Sequence, residues 1–179
     1  MIDVILQEII SGLLDDYISK TKDEKMILEK EYKEFDELMH KNGDEDRINE
    51  LFGEILNKAI EVLNEKIENG GFLEYPEHKY VIRALFEYML ELWSEDAWDE
   101  AKALGYDLVY IVNDENLKEA ISMFVLGLLE KLPIEKFLEI YVNPENEDNN
   151  YDMFFTNFND EIDELVIKHR DTFKKEFSE

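Results

Sequence analysis

The chain has 179 residues, with 45 acidic and 19 basic side chains, a net charge of −26 and no cysteine. That length suits one domain able to bury a core unaided, and 57 Leu, Ile, Val and Phe residues are too many for a disordered chain. The charge argues against direct binding to nucleic acid or to an anionic membrane surface, and zero cysteines remove disulfide scaffolds, thiol catalysis and thiolate zinc sites.

Helical periodicity dominates the pattern. Ile2, Leu6, Ile9, Ile10, Leu13, Leu14 and Tyr17 predict a first helix over 2–19. Thr21 and Glu24 have capping-box spacing and open a second through His40, ended near Gly43. Ile48, Leu51, Phe52, Ile55, Leu56, Ala59, Ile60, Leu63 and Ile67 form one apolar stripe. That helix opens at Asp44-Glu45-Asp46 and closes at Gly70-Gly71, with Gly53 off the stripe and costing about 1 kcal/mol against Ala. Pro76 suits the first position of a helix to Trp93, apolar almost all round and therefore central. Ser94 caps a short helix to Leu104, stopped by Gly105. Tyr106 to Val112 is β-branched and aromatic enough for a strand, but a lone strand is marginal, which favours helix or extended linker. Asp114 opens a helix through Lys131 and Pro133 another through Val142; an Asn-rich acidic loop spans 143–150, and the last helix runs from about Asn159 to Phe177. The expected architecture is all-α: one acidic domain over 1–179, an irregular bundle of about seven or eight helices.

No stretch is apolar enough to span a bilayer, since the longest uncharged run, Ala120 to Leu129, is half the ~20 residues required. Met1-Ile2-Asp3-Val4 lacks the basic start of a signal peptide, and Glu8, Asp15 and Asp16 interrupt the apolar run, so the expected location is cytoplasmic.

Charge is unevenly distributed. Residues 94–116 carry −6 with Lys102 as their only base, and residues 143–164 carry −8 with none. Base-free acid runs lose local compensation and cost stability by self-repulsion, so they read either as a solubility surface or as a surface shaped for a basic partner. Trp93, Trp98, Tyr106 and Tyr110 flank the first stretch, and Tyr151, Phe154, Phe155 and Phe158 lie in the second. Aromatics inside an acidic rim suit an interaction site, although apolar core is the commoner fate of such residues. The candidate partner-binding residues are Glu95, Asp96, Trp98, Asp99, Glu100, Asp107, Glu145, Glu147, Asp148, Tyr151 and Asp152.

Catalytic motifs find no support. Glu37-x-x-His40 has the spacing of a di-iron ligand pair, but such sites need a second copy. Asn146, Asp148, Asn150 and Asp152 alternate like calcium ligands, yet Tyr151 replaces the required Gly and Asn157 the terminal Glu. Phosphate-binding Gly loops and G-x-S-x-G are absent. No cofactor, metal or enzymatic activity is expected, and His40, His78 and His169 read as structural or solvent-exposed.

Asn69-Gly70-Gly71-Phe72, following Leu63 to Glu68, resembles a turn in one family of acidic helical bacterial proteins that includes a DNA-mimic protein. The resemblance covers ten residues; Leu73-Glu74-Tyr75-Pro76 stands where the family has an aromatic pair and Asn, and Phe154-Phe155-Thr156-Asn157 lies far downstream. It implies a protein that occupies the DNA-binding surface of another. Acids at i and i+4 repeat every ~6 Å along a helix, against one duplex charge per ~1.7 Å, so a helix face imitates one strand of phosphates. The expectation is a binding protein that blocks a basic, nucleic-acid-acting partner, as an immunity protein against a nuclease toxin or as a DNA-mimic inhibitor. The alternative is a structural helical adaptor whose acidity serves solubility.

Overall fold

A computed structural model describes residues 28–145, 151 and 154–176. The helix expected over 2–19, the start of the next one, and most of the 143–150 loop lie outside the described residues. Among the described residues there are seven helices and no strand beyond isolated bridges, so the fold is all-α. They are α1 (28–40), α2 (Glu45–Glu68), α3 (Lys79–Ser94), α4 (Trp98–Ile111), α5 (Glu115–Leu129), α6 (Ile134–Tyr141) and α7 (Ile162–Glu176). Contacts cluster into two compact units, Met1–Asn57 and Lys58–Glu179, and the division falls inside α2.

In the first unit, Leu28, Tyr32, Leu51 and Ile55 are buried, and Phe35 packs on Phe52 with ring centroids 5.7 Å apart. The Asp44 carboxylate accepts the Arg47 backbone N–H at 3.1 Å, which caps α2 as its acidic start predicts. The Arg47 guanidinium reaches both Glu50 (2.9 Å) and Glu34 (3.1 Å), a bridge between α2 and α1.

In the second unit, α4 packs against α3 and α5, α5 carries α7, and α3 carries α6. A chain of rings runs through the core. Trp93 meets Phe137 (5.2 Å), Phe137 meets Phe124 (5.1 Å), Phe124 meets Phe86 (4.9 Å), and Phe86 meets Phe154 (5.9 Å). The Trp93 indole N–H donates to the Leu132 carbonyl at 2.8 Å, so its one polar atom is satisfied inside the core. Gly127 makes this possible: a Cβ there would lie 2.4 Å from the Phe137 ring and 2.6 Å from Trp93.

Three expectations need correction. Gly105 does not stop a helix; it is buried inside α4, where a Cβ would meet Val125 at 2.7 Å, so it permits close packing against α5. Ser94 caps nothing downstream, since its hydroxyl donates back to the Glu91 carbonyl, and α4 begins at Trp98 without a side-chain cap. Pro76 belongs to a turn before α3, which starts at Lys79. The strand-like segment 106–112 is helical to Ile111. Its β-branched character is spent only at Val112, which bridges Leu73 in parallel sense, with Leu73 N–H to Ile111 O at 2.8 Å and Asn113 N–H to Leu73 O at 2.9 Å.

Four helix ends share one device. After α2, Gly71 N–H bonds Lys66 O (2.8 Å) and Gly70 N–H bonds Ile67 O (3.3 Å), with Gly70 at φ 64°, a Schellman motif. Left-handed Asn42, Asp96 and Lys131 close α1, α3 and α5 with the same pair of bonds. Phe72, in the turn that follows α2, is exposed, and the next residue, Leu73, is buried.

Candidate partner-binding face

With its other sides packed on α3 and α5, α4 presents Glu100, Ala103, Asp107 and Tyr110 at alternating three- and four-residue steps, a single line about 15 Å long. Tyr110 is 70% exposed, an unusual position for so large a ring. Asp99 projects fully and holds Lys102, the only base of the stretch, at 3.2 Å. The line therefore stays negative, with an aromatic at its C-terminal end.

The acids of this stretch divide by what the fold needs of them. Asp99 and Glu100 occupy the first turn of α4, where negative charge stabilises the helix start. Glu95 is the C-cap residue of α3, and Asp96 sits at φ 62°, a conformation Asp tolerates better than most. Asp107 has no such reason. It lies in the C-terminal half of α4, away from the helix start that favours negative charge. Although its surface is exposed, crowding by protein disfavours the charged form and raises its pKa above the usual carboxylate value. Trp98 is half-buried, tilted on Trp93 at 6.4 Å, and joins this face to the core.

The second stretch is placed differently. Tyr151 is buried, stacked on Tyr75 at 5.1 Å, and its hydroxyl donates to the Asp114 carboxylate at 3.0 Å. Since Asp114 also caps α5 by accepting the Leu117 N–H at 2.9 Å, Tyr151 ties the second acidic stretch to the first. Phe154 is buried in the ring chain, and Phe158 meets Phe124 at 5.9 Å. Glu145 is exposed, held in place by Asn143 N–H to Asn157 O (2.9 Å) and Asn157 Nδ2 to Glu145 O (2.5 Å). Glu147, Asp148 and Asp152 lie outside the described residues. Asp163 and Glu164 serve the start of α7, as Asp99 and Glu100 serve α4.

The histidines have structural partners. Nδ1 of His40 contacts the Asp36 carbonyl at 2.7 Å, in the last turn of its helix. His78 is buried, and its Nδ1 accepts the Glu74 N–H at 3.0 Å; desolvation first, then Lys66, lowers its pKa. His169 and Lys168 both engage Glu130, His169 at 2.6 Å, and these bonds pull the Glu130 pKa down. Among the described residues, no three His, Asp or Glu side chains converge to hold a metal ion. None of the helices described is long and apolar enough to cross a membrane.

Tyr110 is the residue the sequence-derived site omits. Its signal was available: once 106–112 is read as helix, Tyr110 falls on the line of Glu100 and Asp107. Comparisons with protein-family models, curated proteins and solved structures gave no match.

Proposed function

We propose that this protein binds and blocks a basic, nucleic-acid-acting protein through the outer face of α4. The observation that carries the reading is Asp107 with Tyr110: an acid kept where its surroundings disfavour its charge, three residues from an exposed aromatic. A local stability cost of this kind is expected where a residue serves function rather than folding. The line of acids then occupies the partner's phosphate-binding groove while Tyr110 docks at its end. Both biological forms, immunity protein against a nuclease toxin and DNA-mimic inhibitor, use this same chemistry, as does the resemblance at Asn69 to Phe72.

The test is competition. Immobilised protein is exposed to extract of the source cell, and what it retains is challenged with duplex DNA. The retained partner is expected to be basic, to be released by DNA, and to be lost with the Tyr110→Ala and Asp107→Asn variants. A partner that DNA leaves in place, or that both variants retain fully, supports the adaptor reading instead.

A further inference from the structure

His78 is 7% exposed, and among the described residues no Asp, Glu, Lys or Arg is buried that far. Its ring closes the turn in which it sits. The His78 backbone N–H donates to the Glu74 carbonyl at 2.8 Å, and the Glu74 N–H donates to the ring Nδ1 at 3.0 Å. Nδ1 therefore carries no proton in this arrangement. The charges that act on the ring are Lys66 near the end of α2 and Glu74 and Glu77 of the turn itself. From the segment after α4, the side chain tied to this turn is the neutral Asn113. Burial first and then Lys66 outweigh the Glu74 backbone and the two carboxylates, so the imidazole stays neutral below its ordinary range. His78 is also the N-cap residue of α3, where a positive ring would meet the positive end of the helix dipole.

What this turn holds is the end of α4. Leu73, fully buried, donates its N–H to the Ile111 carbonyl at 2.8 Å and accepts the Asn113 N–H at 2.9 Å. The Glu74 carboxylate accepts the Asn113 side-chain amide at 2.8 Å. Residues 73–74 thus form a strap of three hydrogen bonds across 111–113, directly after the exposed Tyr110. A protonated Nδ1 cannot accept the Glu74 N–H. Its proton can turn only to the Glu74 carbonyl, 3.3 Å away and already bonded to the His78 N–H. The Glu74 N–H, inside the strap, then loses its partner, and a part-buried donor left unpaired is costly.

We propose that His78 is a pH-sensitive latch: protonation of its ring opens the Glu74–His78 turn, slackens the 73–74 strap and loosens the last turn of α4, which carries Tyr110. As a regulator of partner binding the latch rests on the α4 reading; as a device of the fold it does not. The α4 face is then set above pH 6.5 and released as the pH falls toward the folded value of the ring.

The full chain alone suffices for the test. Imidazole and amide NMR resonances are followed from pH 7.5 to 5.0, together with hydrogen exchange of the Leu73 and Asn113 amides, the two backbone donors of the strap. The His78 ring is expected to titrate below pH 6.5, with Leu73 and residues 110–113 shifting in the same transition. Over that range both amides are expected to lose protection by about tenfold or more relative to Phe124 and Val125 in the core of α5. His78→Gln keeps an acceptor that does not titrate, and is expected to abolish the transition. A ring that titrates while the strap amides keep their relative protection overturns the proposal, as does a ring that stays neutral to pH 5.0. The same transition in His78→Gln overturns it too. The wild-type titration decides even where His78→Gln fails to fold. No partner enters these measurements, so failure of the latch is distinguished from failure of the α4 face.

Discussion

Asp107 and His78 show the same electrostatic cost from opposite sides. The folded-state pKa of Asp107 is raised, so its charged form opposes folding once the pH exceeds that value. Asp107→Asn is therefore expected to increase stability at neutral pH, with the gain fading as pH falls through the raised folded value and gone below about 4, where both states are protonated. Denaturant midpoints at pH 7 and pH 4 check this, and an unchanged midpoint at pH 7 removes the strain on which the α4 reading depends. His78 titrates at higher pH. Its pKa is lowered from 6.5 first because the ring is buried and then by the nearby Lys66 charge, which together outweigh the opposing hydrogen bond with the Glu74 backbone. The unfolded state then binds more protons below pH 6.5, so the His78 contribution is complete above 6.5 and lost as pH falls toward the folded value. Between pH 7.5 and 5.5, wild-type stability is expected to decline more steeply than that of His78→Gln. Parallel slopes would show that His78 is not the titrating group.

Two glycines in helices make opposite predictions at the scale of elements. Gly127 lies where α5 passes Trp93 and Phe137 so closely that a methyl group must displace a ring. Gly127→Ala is expected to cost about 1–3 kcal/mol, the usual penalty of overpacking, even though Ala is the better helix former. Gly53 in α2 has open space where its Cβ would be, so Gly53→Ala is expected to gain about 1 kcal/mol. Thermal unfolding of the pair reads both, and a stabilising Gly127→Ala would mean the ring cluster is looser than its distances imply. The contrast also explains what was legible in the sequence. The α2 stripe, the Asp44 and Asp114 caps and the Gly70 stop are local signals, and they gave the helices nearly in register. Gly105 and Gly127 are glycines because of what another helix brings near them, which sequence spacing does not reveal. Asp96 and Lys131 occupy left-handed helix ends without being glycine, so a search for glycine stops misses both. In the site, exposed Asp99 and Glu100 were readable from charge, whereas the burial of Tyr151 depends on its distant partners Tyr75 and Asp114.

For the molecule as a whole, −26 on 179 residues sets two effects of salt against each other. Self-repulsion destabilises the compact state, and added salt screens it, with a Debye length of about 10 Å at 0.1 M and 3 Å at 1 M. Stability is therefore expected to rise from low salt to about 0.5 M, each ~1 kcal/mol recovered raising the midpoint by about 2–4 °C for a chain of this size. Attraction to a basic partner is screened by the same ions, and charge complementarity acts chiefly on the encounter rate. Association is accordingly expected to slow by about tenfold or more over the same range, with dissociation changing less. Neutralising Glu100 and Asp107 together should reproduce part of that slowing at low salt, because both lie on the exposed line of α4. Neutralising Asp163 and Glu164, which serve the start of α7, should weaken the helix and leave the encounter unchanged. Calorimetry and stopped-flow binding on one salt series separate the readings. A solubility surface gives the rise in stability with a partner encounter that salt and the α4 pair do not alter. A contact surface requires both effects, and loses its support when only the first is observed.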